Sequence, residues 1–233
     1  MIMKKTLILL SITLIANLAM AQAPVRFYQN AKAGYKDPVS GKVIVAPTYD
    51  AGSEFHEGYA IVMQGRKRGF IDEKGVVVIP IQYDDVSLFY GGLAKAGMEK
   101  KYGYLNTKGE WAIQPIYDFD DDFTTDLARV MKGNKYGFIN RKGDVVIPLQ
   151  YENAGNFGEG LAPVMQDGKW GYINESGNLM LPMQYENANY FKNGEAVVHK
   201  DGKGYYIDKN GNYLRDLPKN DEEWEHKKAN EKE

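Results

Sequence analysis

The chain has 233 residues, 43% of them hydrophobic and 26% charged, with 25 Gly, 17 Tyr, no Cys and a formal net charge of −2. That balance suits a folded body of one or two domains. It excludes a disulfide framework, a cysteine-ligated zinc site and a strongly basic surface made for nucleic acid.

Residues 1–21 read as an export signal. Lys4 and Lys5 supply a short positive start, Leu7 to Leu18 an apolar run, and Ala19-Met20-Ala21 a small-x-small cleavage pattern. The run is too short for a comfortable span and charges soon follow it, so the expectation is cleavage after Ala21 and a periplasmic or extracellular destination. Once the signal is removed, no integral membrane segment is expected. No Cys follows the run, which leaves no residue to hold a lipid. Without Lys4 and Lys5 the charge is about −4, which points to no polyanionic partner. Residues 22–40 read as a lead-in or degenerate cap.

From residue 41 the chain repeats every 34 residues. Gly69, Gly103, Gly137 and Gly171 keep that interval, and so do Gly41, Gly75, Gly109, Gly143, Gly177 and Gly211. Three further series run in phase: Tyr49, Tyr83, Tyr117, Tyr151, Tyr185; Phe55, Phe89, Phe123, Phe157, Phe191; and Ala60, Ala94, Ala128, Ala162, Ala196. Gly and Pro interrupt each unit too often for two useful helices. The runs between them are short, β-branched and aromatic, as in Val76-Val77-Val78-Ile79, and read as strands.

One unit, Gly160 to Tyr185, shows the plan. Leu161 to Met165 is a strand, Gln166-Asp167-Gly168 a turn, and Lys169 to Ile173 a second strand. Asn174 to Gly177 turns again, and Asn178 to Leu181 is a third strand that Pro182 is expected to end. The turn glycine lies six residues before Pro47 and Pro115 but five before Pro80, Pro148 and Pro182, whereas the tyrosine always follows it by eight. The tyrosine is the fixed point, which predicts a ring packed between neighbouring units.

Lys169-Trp170-Gly171-Tyr172-Ile173 with Pro182 and Tyr185 resembles the bacterial WG-repeat (KWG) family. Lys135-Tyr136-Gly137-Phe138-Ile139 and Lys101-Tyr102-Gly103-Tyr104-Leu105 are similar to it in the same phase. Arg68 and Gly204 stand where the family has Trp, so the end copies depart from the pattern. The resemblance implies an all-β repeat module, often in exported bacterial proteins, and implies no enzymatic activity.

The predicted fold is therefore all-β: five tandem three-stranded meanders over residues 41–213, stacked as an open, curved, solenoid-like array, with a charged tail at 214–233. A closed propeller-like ring is the alternative, because closure hides sheet edges. The tail reads by default as a frayed, soluble segment; the alternative is a short helix that begins near Asn220-Asp221, with Trp224 docked on the last unit.

Two polar series share the period: Lys67, Lys101, Lys135, Lys169, Lys203 and Asp50, Asp84, Asp118, Glu152, Glu186. The expectation is Lys-to-acid pairing within or between units, against a ligand-reading row of Lys101, Lys135 and Lys169. Tyr102, Tyr136 and Trp170 are either filling between units or an aromatic stripe for sugar rings or a partner surface. Asp118-Phe119-Asp120-Asp121-Asp122 lacks the glycine and closing Glu of a calcium loop and reads as a solvated acidic loop. His56, His199 and His226 have no metal-ligand spacing, and no hydrolase elbow or phosphate loop occurs. The functional expectation is an exported scaffold without catalysis, cofactor or metal, for an envelope or extracellular protein partner. A glycan-binding module and a structural spacer are the alternatives.

Overall fold

The computed structural model describes residues 22–123 and 125–218. The expected signal and most of the expected tail, including Trp224, lie outside them. The described residues form six antiparallel sheets in chain order and no helix. Sheet 1 is β1 (Val25–Gln29), β2 (Lys32–Lys36) and β3 (Val43–Tyr49). Sheet 2 is β4 (Ala51–Gly52), β5 (Tyr59–Gln64), β6 (Lys67–Asp72) and β7 (Val77–Tyr83). Sheet 3 is β8 (Asp85–Val86), β9 (Leu93–Met98), β10 (Lys101–Asn106) and β11 (Trp111–Tyr117). Sheet 4 is β12 (Phe119–Asp120), β13 (Leu127–Lys132), β14 (Lys135–Asn140) and β15 (Val145–Tyr151). Sheet 5 is β16 (Asn153–Ala154), β17 (Leu161–Gln166), β18 (Lys169–Asn174) and β19 (Leu179–Tyr185). Sheet 6 is β20 (Asn187–Ala188), β21 (Glu195–Lys200), β22 (Lys203–Asp208) and β23 (Tyr213–Asp216).

The meander is as expected, with two additions. The residues after each repeat tyrosine supply a two-residue fourth strand, antiparallel to the first long strand of its sheet, as Ala154 opposite Val164. The segment 22–40 supplies β1 and β2, so the array has a sixth sheet. Lys32-Ala33-Gly34-Tyr35 is the missed copy; one extra residue between Gly34 and Gly41 takes it out of the 34-residue phase.

Pro182 does not end its strand. β19 runs through it to Tyr185, and the same holds at Pro148 in β15. Opposite Tyr136 and Phe138, two residues apart, stand Tyr151 and Ile147, four apart. This double bulge absorbs the proline, which is tolerated because β15 is the outermost strand of its sheet. It explains why the proline shifts by one residue while the tyrosine keeps its register.

Each interface between consecutive sheets is built alike. The tyrosines Tyr83, Tyr117, Tyr151 and Tyr185 are 2–4% exposed and lie in the inter-sheet clusters, as the spacing predicts. A second ring pair crosses each interface: Tyr35–Phe55, Phe70–Phe89, Tyr104–Phe123, Phe138–Phe157 and Tyr172–Phe191, with centroids 4.8–5.2 Å apart. Burying each large ring contributes about 1.5–3 kcal/mol, which no single sheet could obtain alone. Where the first ring is a tyrosine, its hydroxyl donates across the interface: Tyr35 to the Ser53 carbonyl at 2.8 Å, Tyr172 to that of Asn189 at 2.7 Å, and Tyr104 to that of Asp121.

The array is open. The five apolar clusters occupy the junctions 1–2, 2–3, 3–4, 4–5 and 5–6, with none between sheets 6 and 1 among the described residues. The end faces are altered accordingly. Lys36 takes the register position of Ile71 and lies over the Phe27 ring, with Nζ 5.6 Å from its centroid. At the other end Glu195 replaces the leucine found at 93, 127 and 161, and Arg215 replaces Ile79, Ile113, Ile147 and Leu181. Arg215 stacks on Tyr206 at 3.8 Å and makes two 2.6 Å bonds to Glu195. Both ends thus present charge where an inner sheet presents an apolar side chain, as terminal repeats require.

Candidate interaction surfaces

The two charge ladders meet at the hairpin turns. Lys32 pairs with Asp50, Lys67 with Asp84 at 2.5 Å, and Lys101 with Asp118. In each pair the lysine belongs to one sheet and the acid opens the next. The second carboxylate oxygen accepts a backbone N–H from the two-residue turn of that next sheet, at Gly65, Glu99 and Gly133. The acid therefore ties the lysine of one sheet to the turn of another.

Glu152 and Glu186 do half of this. One methylene longer, they reach the second turn residue instead of the first, accepting from Gly168 and Gly202. Among the described residues, Lys135 and Lys169 form no ion pair within 4.0 Å. The predicted pairing thus holds for Lys67 and Lys101, extends back to Lys32, and stops where Asp becomes Glu. Lys135 and Lys169 are the members of the candidate row left without an acid.

The lysine and turn bonds hold the carboxyls of Asp50, Asp84 and Asp118 below their usual range. A depressed native pKa means stability that is present above the ordinary carboxylate range and is lost as pH falls through the native values. Acid unfolding monitored by circular dichroism should therefore show a weaker dependence on pH below about 4 for Asp84→Asn than for the unaltered chain.

Tyr102, Tyr136 and Trp170 occupy one register position on consecutive sheets, opposite Tyr117, Tyr151 and Tyr185. Each is half-buried. Trp170 packs against the cluster between sheets 5 and 6, and Tyr136 against the one between sheets 4 and 5. Tyr136 also meets the edge of Phe119 at 6.3 Å and lies 5.7 Å from the Arg129 guanidinium. The rings are partly committed to their own sheets and partly open to solvent.

The acidic run is not uniformly solvated. Asp121 holds Arg129 at 2.6 Å, but Asp120 is only 2% exposed and both its carboxylate oxygens lack a hydrogen-bond partner. It takes the place of Gly52, Val86, Ala154 and Ala188 in the short strands, opposite Val130. Burial pushes its carboxyl up to about 8; Lys95 pulls it down, and Asp122, Asp121 and Asp85 add to the rise. Among the described residues no group of three or more His, Asp or Glu side chains is arranged to hold a metal ion.

The sequence reading missed a surface on the outer strands. Val145, Val146, Leu179, Met180, Tyr213 and Leu214 leave 39–58% of their area in solvent on β15, β19 and β23. The turns that lead into β19 and β23 lie against the preceding outer strands, Gly177 beside Ile147 and Gly211 beside Leu181. The signal was present: apolar pairs follow Gly143, Gly177 and Gly211 at the repeat interval, at the start of the outermost strand of each sheet. The prolines and bulges of β15 and β19 interrupt the free hydrogen-bonding edge, so side chains rather than strand addition suit this rim.

The model for a WG-containing repeat matches residues 34–67, 69–102, 102–136, 136–170 and 170–203. No curated protein matches the chain in sequence. Among solved structures, a eukaryotic initiation factor is similar at 11% identity and a TM-score of 0.52, with 82% of this chain and 62% of that one covered. This chain therefore spans about three-fifths of that protein's length, and the likeness is one of fold. Hsv2p of Kluyveromyces lactis aligns at 11% identity and a TM-score of 0.47, covering 81% of this chain and 71% of its own. A protein of unknown function from Bacteroides caccae aligns at 13% identity and a TM-score of 0.30, covering 83% and 92%.

Proposed function

The chain belongs to the WG-containing repeat family, and from that premise we propose that it is an exported, non-catalytic β-repeat scaffold that binds another protein of the bacterial cell envelope. The observation that supports this most is the outer apolar rim of sheets 4–6. Six large apolar side chains exposed at the repeat interval are more than the scattered surface hydrophobics of an ordinary monomer, and grouped exposure of this kind marks interaction sites. The polar side chains offer little for catalysis: Asp50, Asp84, Asp118, Glu152 and Glu186 hold turns, and Asp121 holds Arg129. Export is supported by Lys4, Lys5, the apolar run and Ala19-Met20-Ala21.

The test is an in-cell crosslinking pull-down of the whole chain beside a Val146→Glu, Met180→Glu double variant. Both positions are solvent-facing, so the thermal midpoint should change little. An envelope protein enriched by the unaltered chain and lost with the double variant is the expected result. Equal capture by both, or none by either, would remove the rim as a docking surface. Fractionation of the same cells checks export: protein confined to the cytoplasm at full length would contradict it.

A further inference from the structure

We propose that the outward face of sheet 6 holds a second, separate binding site, for a neutral saccharide. The outer rim plays no part in it. A cavity of about 350 Å³ opens there, lined by Asn189, Tyr190, Lys192, Asn193, Glu195 and Tyr206. That volume is at the lower end of small-ligand sites and accommodates one or two sugar rings.

The chemistry of the lining points to the ligand. A pyranose has a flat C–H face and a rim of hydroxyls. Tyr190, 55% exposed, supplies aromatic surface for the first; Tyr206 also lines the cavity, with one face of its ring taken by Arg215. The carboxamide of Asn193 has a donor and an acceptor group suited to neighbouring hydroxyls, and Lys192 adds an ammonium donor. Glu195 is ionised at neutral pH, because its bonds to Arg215 hold its carboxyl below the usual range, and its charge is already matched by that guanidinium. Among the described residues Lys192 forms no ion pair, but a single ammonium beside the matched Glu195–Arg215 pair is not the cluster of cationic donors that a phosphate or carboxylate site uses, so a neutral polyhydroxylated ligand fits better than a charged one.

The site is largely pre-formed. Asn193 and Gly194 make a two-residue turn with φ of 55° and 81°, closed by the Lys192 N–H donating to the Glu195 carbonyl at 2.9 Å. Glu159 of sheet 5 accepts the Gly194 N–H at 3.1 Å and is itself held by Lys209 at 2.9 Å. On the other side the Tyr172 hydroxyl donates to the Asn189 carbonyl at 2.7 Å, and the Tyr190 ring lies beside Gly158. The loop is therefore fixed on the sheet beneath, which lowers the ordering cost of binding. This arrangement departs from the repeat: Tyr190 replaces Glu54, Leu88, Asp122 and Asn156, and Glu195 replaces leucine.

The experiment is titration of the whole chain with methyl glucoside, methyl galactoside, N-acetylglucosamine and its β-1,4 disaccharide, read by calorimetry and saturation-transfer NMR. At least one sugar should bind saturably, with Tyr190→Ala and Asn193→Gly each weakening it about 10-fold or more. Asn193→Gly keeps the turn, because glycine accepts the same positive φ, so it tests the amide without the fold. Tyr102→Ala, at the same register position as Trp170 but on sheet 3, should leave the affinity unchanged. No saturable binding up to about 50 mM, an affinity indifferent to both loop variants, or loss of binding in Tyr102→Ala would each overturn the assignment. The rim double variant should bind the sugar normally, so failure of either proposal leaves the other standing.

Discussion

Replacing Asp120 by alanine is expected to make the protein several kcal/mol more stable at pH 7. Asp120 sits in the seam between sheets 3 and 4, 2% exposed and without a partner, where two other sheets have Ala154 and Ala188. A neutral carboxyl buried without a bond costs about 1–3 kcal/mol. Ionised in the unfolded chain at pH 7, it must also take up a proton to fold, because its native pKa is near 8. The small cavity left by the truncation offsets part of the gain.

The sign of the pH dependence separates this from ordinary repacking. The native pKa is raised, so the proton is held more tightly in the folded chain; the stability this gives is full below about pH 4 and is lost as pH rises to about 8, at up to about 1.4 kcal/mol per unit. Asp120→Ala should abolish that slope. Asp50, Asp84 and Asp118 act in the opposite direction, losing their contribution as acid protonates them. The unaltered chain should therefore be most stable in mildly acid solution, and the variant near neutrality. Equal urea midpoints for the two proteins across pH 5 to 9 would sink this account of Asp120.

The difference between Asp120 and its neighbours also marks what could be read from the sequence. Repeats make shared constraints visible: the tyrosine series predicted a ring packed between neighbouring sheets, and the phenylalanine and alanine series that run in phase with it lie in the same cores, because each must fill the same space in every copy. The double bulge was half visible, as a proline that moved while the tyrosine did not. Its geometry could not be read, since a proline in an outer strand and a proline after a strand leave the same trace. Sheet 1 was hidden by a single inserted residue, which breaks a periodicity argument without disturbing a fold. Asp120 was hidden by its neighbours in the chain, among which a buried carboxylate looks like one more solvated acid.

The surfaces divide in the same way. Lys101 and its acid were legible as paired series, but the change from Asp118 to Glu152 looked conservative. One methylene moves the bond to the next turn residue and leaves Lys135 without its ion pair. The pocket on sheet 6 was not legible, because it exists only where the repeat stops and a face buried elsewhere turns to solvent. End copies that look degenerate therefore hold the side chains in which this array differs from a longer one, Lys36, Glu195 and Arg215 among them.

Alanine at Gly137 should be among the most damaging single-methyl additions in the chain. The Gly137 backbone lies under the double bulge of β15, and a Cβ there would come 2.6 Å from the Ile147 carbonyl oxygen and 2.8 Å from the Leu149 nitrogen. These are backbone atoms, held by the ladder on one side and by Pro148 on the other, so no rotamer change relieves the contact. Gly69 and Gly171 meet the same obstruction at 2.6 Å, which gives the repeat glycine a steric origin independent of positive φ. Overpacking of this kind costs at least about 2 kcal/mol, only partly offset by the stiffer unfolded chain. Gly168→Ala provides the comparison: φ is +68°, nothing lies within 4 Å, and the strain is about 1 kcal/mol. Chemical denaturation of the two variants should therefore rank Gly137→Ala well below Gly168→Ala, with faster amide exchange along β15 in the former. The reverse order would mean that the bulge yields to a methyl group, and that the glycine is kept for some other reason than the strand lying across it.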